Sequence, residues 1–289
     1  MPGESPGMTV QMDSIKSDKK FMIRVKTYET GNYMEKEMFN LSPHKKPFDR
    51  ARKVKESTPA QKNLNDKKSK KQFRRILHKN FGIGDLALHL TFDDDNIPDT
   101  EKDALRLIGN FIRVLRRLWE KSFPGKPFKY IYVYSDIAGD GSGEVVRKHF
   151  HMVISGGLAR DLIEDKWKYG YANADRLRFT ETGIEQLANY MISQACGKRR
   201  WKGSNNLIKP EPVVSDKAVS RADIEKIRRN PDDTEFIERL INKGRKDKWI
   251  LTKCEITFDG RELFGSDIDT GEGMGIAILI RARKADWNK

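Results

Sequence analysis

The sequence predicts an α+β protein in which a mainly antiparallel sheet is covered by helices, and three observations predict it. Leu86, Leu88, Leu90 and Phe92 alternate with Ala87, His89 and Thr91, which is the period of a half-buried strand. Leu105, Ile108, Ile112, Leu115 and Trp119 recur at spacings of three and four, which is the period of an amphipathic helix. Two further strand-like runs, KYIYVYS at 129–135 and HFHMVIS at 149–155, are joined by the loop AGDGSGEVV rather than by a crossover helix.

The elements follow in order. The first twenty residues are rich in Gly, Pro and Ser and read as a loose leader. Residues 21–27, FMIRVKT, form a short strand, followed by a polar connection through His44 and Pro47, so that 1–57 is a leader and N-terminal extension. Thr58 caps a basic helix, Pro59 suits its first position and Gln61 closes a capping box. This helix runs to about Lys79 and stops at the Gly82 and Gly84 pair. After the strand at 86–92 comes the acidic turn DDDNIPDT, where Asp99 or Thr100 caps the long helix, which FPGKPF ends. Beyond HFHMVIS lie a short helix at ARDLIEDKW, a strand around ADRLRF and a helix at EQLANYMISQ. Pro210 and Pro212 mark a boundary, so that 58–210 is the core. Residues 211–289 comprise a charged helical segment at 215–248 and two strands, WILTKCEITF and GIAILIRA, which are either a small C-terminal module or late additions to the main sheet.

Composition narrows the function. No apolar run approaches the roughly 20 residues that cross a bilayer, and no hydrophobic signal follows the first Met, so a cytoplasmic protein without membrane association is expected. Cys196 and Cys254 stand alone, as reduced thiols do, and form no zinc or disulfide pattern. The net charge of +14 attracts polyanions, and residues 41–80 alone hold 14 Lys or Arg against 3 Asp or Glu. Lys67, Lys68, Lys70 and Lys71 in this stretch, and Lys198, Arg199, Arg200, Trp201 and Lys202 further on, suit a DNA backbone, with Trp201 either stacking on a base or anchoring a helix end.

The chemistry centres on His149-Phe150-His151. Alternate residues of a strand share a face, so both imidazoles address one metal ion while Phe150 points away. A carboxylate on the neighbouring strand would complete a set for Mg²⁺ or Mn²⁺, and Asp136 ends that strand. His89 reads as a structural histidine beside the sheet, and Asp93, Asp94 and Asp95 as a solvated turn. Downstream, Ile184, Leu187 and Met191 give a helix an apolar face, leaving Gln186, Tyr190, Ser193 and Gln194 outward. A phenol is a poor nucleophile at neutral pH, but a metal that polarises a phosphodiester makes its attack feasible.

The strand LHLTFDDD, the strand pair YIYVYSD and HFHMVISGG, and the helix LANYMISQ resemble motifs one, two and three of rolling-circle replication initiators of the HUH endonuclease class. The flanks STPAQKNLNDKKSKKQFRR and KRRWKGSNNLIKP are similar to those of replication proteins from phages and mobile elements of Gram-positive bacteria, and the resemblance covers roughly residues 56–210. It implies a ferredoxin-like or RRM-like core, Tyr190 as nucleophile, His149, His151 and Asp136 as metal ligands with Glu144 as the alternative to Asp136, and single-stranded or hairpin DNA at an origin as substrate. It also implies host helicase and polymerase as partners, and no small-molecule cofactor. The product would be a 5′-phosphotyrosine and a free 3′-OH, later religated. Transposition or conjugative transfer uses the same chemistry, and a non-catalytic binding protein is the remaining alternative. One departure stands out: many relatives carry a lysine one turn after the tyrosine, where this chain has Ser193, and Lys198 is the cation nearest in sequence.

Overall fold

The computed structural model describes residues 22–41, 59–138, 142–196, 199–257 and 277–287. It is α+β, with two five-stranded antiparallel sheets, as the strand and helix periods predict. The central sheet is built from β3 (Leu86–Thr91), β4 (Tyr130–Ile137), β5 (Val145–Ile154), β6 (Ala172–Arg176) and the two-residue β7 (Lys202–Gly203), in the order β6-β3-β5-β4-β7. Between them lie α2 (Glu101–Ser122), α3 (Arg160–Asp165) and α4 (Glu185–Ser193). The path β3-α2-β4-β5-α3-β6, with β5 lying between β3 and β4, is the split βαβ arrangement of ferredoxin-like sheets.

Alternation along these strands divides two cores. Leu86, Leu88, Leu90, Tyr132, Phe150 and Met152 face α2, whose Ile108, Phe111 and Leu115 are buried against them. Thr100 caps α2 by accepting from the Asp103 N–H at 3.2 Å. On the opposite face, Ile131, Val133 and Val153 meet α4 and α1 (Pro59–Asn80) through Ala188, Met191, Phe73 and Leu77.

The second sheet differs from expectation. It comprises β1 (Met22–Thr30), β2 (Tyr33–Leu41), β8 (Val213–Ser215), β9 (Trp249–Thr257) and β10 (Ala277–Lys284), in the order β8-β1-β2-β10-β9. The C-terminal strands therefore join the N-terminal hairpin rather than the central sheet or a separate module, and part of the expected loose extension is sheet. The hairpin turns at Gly31, whose φ of +69° suits the tight primed turns that match strand twist. One face of this sheet packs on α5 (Arg221–Arg229) and α6 (Thr234–Asn242) through Ile227, Ile237 and Ile241.

Its other face is ionic. Glu35 and Glu37 of β2 are buried and paired with Arg74, Arg75 and Lys71 of α1, while Arg281 of β10 reaches Glu185 at 2.6 Å in the first turn of α4. Arg75 also lies 3.5 Å over the Tyr28 ring. Helices α1 and α4 are thus held between the two sheets, apolar toward one and charged toward the other. Among the described residues, no helix is long and apolar enough to cross a membrane.

Candidate functional site

The register of the central sheet assembles the site. His89 pairs with His151 and Thr91 with His149 across β3 and β5, so three imidazoles share the face that α4 covers. Their ligand atoms lie within 4.8 Å of one another, a group able to hold a metal ion. His149 and His151 are buried, whereas His89 is exposed and stacks on His151 with ring centroids 4.8 Å apart.

The ring chemistry agrees with that grouping. Nδ1 of His149 lies 2.8 Å from the Arg147 carbonyl oxygen, which only accepts, so Nδ1 carries the proton of the neutral ring and Nε2 is left as an acceptor. The Gln194 side-chain amide lies 3.0 Å from that Nε2 and 3.0 Å from His151 Nε2, hydrogen bonds whose direction follows the tautomer of each ring and the way the amide is turned. Burial, the neighbouring His149 and His89 together push His151 down to about 3, against the opposing Gln194 hydrogen bond, so its ring is neutral and able to ligate at neutral pH. Burial, then His149, lowers His89 as well.

Two expectations about ligands are corrected. Asp136 lies outside the histidine group. His149 pairs with Ser135 and His151 with Val133, so strand alternation gives the histidine face to Val133 and Ser135 and turns Asp136 away, next to a register shift between Ser135 and Ile137. Its carboxylate instead sits by Tyr134 and Cys196; burial, reinforced by Asp136, raises both, the Cys196 thiol to about 12. Glu144 is exposed and likewise outside the group. His89, expected to be structural, takes the third place. The signal for it lay in β3: Leu88 and Leu90 share the Phe150 core, which leaves His89 on the face of the other two histidines.

Helix α4 closes the site. Tyr190 is 51% exposed and its ring lies edge-on to His151, centroids 4.9 Å apart. Four residues on, Gln194, expected to face outward, is buried at the end of α4 beneath the imidazoles. Sequence reasoning missed Gln194 because a polar residue on a helix's polar face is ordinarily solvated; it is buried here by hydrogen bonds that only the sheet supplies. Ser193 turns its hydroxyl back to the Tyr190 carbonyl at 2.8 Å.

The basic residues divide. Lys71 bonds Glu37 at 3.1 Å between the layers and is unavailable to DNA, a correction that follows from the buried acids of β2. Lys70 and Arg200 both pair with Asp66, and Trp201 packs on Phe73 with centroids 6.0 Å apart, an anchoring role. Arg199 and Lys202 line a groove with Tyr130 and Tyr132. Lys67 and Lys68 lie in α1, and Lys198 lies outside the described residues, as do Thr58, His44 and Pro47. Comparison with family models, curated proteins and solved structures finds no match to this chain.

Proposed function

We propose that this chain is a metal-dependent endonuclease that nicks single-stranded or hairpin DNA by tyrosine transesterification and reseals it, in the manner implied by its resemblance to HUH replication initiators. The observation that carries the reading is the exposed Tyr190 ring set against His151, in a group of three histidines backed by Gln194. His89, His149 and His151 would hold the ion, and the Gln194 amide, 3.0 Å from both His149 Nε2 and His151 Nε2, would orient the two rings or join them. Three imidazoles and an amide oxygen suit Mn²⁺ better than Mg²⁺. When bound, the ion polarises the scissile phosphate and offsets its growing charge.

The protein's part is positional. Helix α4 presents the Tyr190 hydroxyl to solvent at the edge of the histidine group, where a phosphodiester lying on the imidazoles meets it. The phenol oxygen bonds to phosphorus and loses its proton to solvent. The bond to the 3′ oxygen breaks, and that oxygen leaves as a 3′-OH after taking up a proton. The covalent link conserves the phosphodiester energy, so attack by a 3′-OH reverses the step. Such a cut supplies the primer for rolling-circle replication of a phage, plasmid or integrative element. Incubation with a labelled single-stranded oligonucleotide and Mn²⁺, followed by denaturing electrophoresis, is expected to show a protein–DNA adduct that Tyr190→Phe abolishes. Adduct formation by Tyr190→Phe, or none by the native chain on any single-stranded library, would overturn the proposal.

A further inference from the structure

A cleft opens beside the histidine group, with His89, His151 and Tyr190 at one end and Leu187 of α4 along one wall. The facing wall is β6, whose Asn173 pairs in register with His89 and whose Asp175 pairs with Ala87, so both side chains stand on the histidine face of the sheet. Asn173 Nδ2 donates to Asp175 Oδ2 at 3.4 Å, and both side chains are exposed. On the free edge of β6 the Ala174 backbone is already engaged: its N–H donates to Glu164 Oε1 at 2.7 Å, and Arg160 Nη1 donates to its carbonyl at 3.4 Å. What enters the cleft meets the Asn173 and Asp175 side chains.

An exposed carboxylate is a poor neighbour for a phosphate backbone, and this one lines the same cleft as Tyr190 in a chain of net charge +14. A carboxylate does, however, accept hydrogen bonds from the amino and imino N–H groups of an unpaired base, and unstacked bases in single strands are read on these edges. We infer that Asp175, positioned by Asn173, selects the base of a nucleotide beside the reacting phosphate, favouring bases with an amino donor and rejecting thymine. Thymine offers one N–H flanked by two carbonyl oxygens, which a carboxylate repels. Arg160 lies 3.7 Å from the other carboxylate oxygen and leaves Oδ2 toward Asn173. The inference rests on the proposed DNA substrate and adds the means by which one sequence is preferred.

The test uses full-length Tyr190→Phe protein, which binds without cutting, and a randomised single-stranded DNA library with Mn²⁺, sequenced after capture. The expected result is one position depleted of thymine by about tenfold, the size of one base-edge contact. Adding Asp175→Asn, nearly the same in shape but with a donor in place of an acceptor, should remove or reverse that depletion while Mn²⁺ affinity stays the same. An identical base profile with Asp175→Asn would overturn the inference alone, as would equal weakening toward all four bases, or a loss of Mn²⁺ affinity that placed Asp175 in the metal shell. No capture of single-stranded DNA by either protein would overturn the substrate reading and this inference with it.

Discussion

Phe150 decides where the histidines go. Buried between Tyr132, Tyr134 and Phe92, it fixes which face of β5 is apolar and so sends His149 and His151 to the other side. That much was legible in the sequence, because a period of two is a property of the strand alone. The third member of the group was only half legible: the period of β3 sets His89 on its polar face, but register between strands sets it opposite His151, and a strand written YIYVYSD does not reveal whether Ser135 or Asp136 lies opposite His149. The assignment has a direct check by calorimetry with Mn²⁺. Losing a partner that only orients a ligand typically costs about 10- to 100-fold in metal affinity, so His89→Ala is expected to cost at least as much. Asp136→Asn, beside Tyr134 and Cys196, is expected to leave affinity unchanged.

At the scale of elements, β2 shows why the second sheet escaped the sequence reading. Its residues YMEKEMFNL read as a polar connection, yet Glu35 and Glu37 are buried, because that face of β2 lies against the cations of α1. Hydrophobic periodicity cannot find a strand whose inward face is charged. The basic charge of α1 misled in the same way, since part of it is spent inside the molecule rather than on a nucleic acid. The start of α4 is equally set by its neighbours. Gly183 has a φ of +70°, and an added Cβ would come within 2.6 Å of His78 Nε2 and 2.9 Å of the Tyr33 ring. Gly183→Ala is expected to destabilise the protein by about 1–3 kcal/mol and to lower nicking beyond its effect on folding, because it moves the helix that carries Tyr190. Ser220→Ala breaks the capping box of α5 and is expected to cost about 1 kcal/mol in urea unfolding while nicking at 25 °C stays the same.

For the whole molecule, the ionic layer makes stability depend on acid. Burial pushes the Glu35 carboxyl up, but Arg75, Arg74 and Arg281 outweigh it and hold the group well below the usual carboxylate range. Its contribution is therefore present above the unfolded carboxylate pKa, about 4, and lost as pH falls below it. His78 adds to the same slope. It accepts a hydrogen bond from the Ile184 N–H at 3.1 Å, and burial, followed by Arg74, lowers it to about 3, so the unfolded chain takes up a proton below its ordinary value of 6.5 while the folded chain resists. Urea midpoints are expected to fall steadily from pH 7 to pH 4, and His78→Gln to flatten the upper part of that fall; an unaltered profile would exclude His78 as its source. Glu35→Ala removes the carboxylate that three arginines share, leaving Arg75 to Glu37 and Arg74 and Arg281 to Glu185, and is expected to cost up to about 3–5 kcal/mol. The pairing of Arg281 with Glu185 also sets a timetable. A ribosome releases α4 well before β10, so a half-made chain already displays Tyr190 but lacks the last arginine that braces its helix. Helix α4 is translated early and secured late, and a prematurely terminated product carries Tyr190 on a helix without that brace.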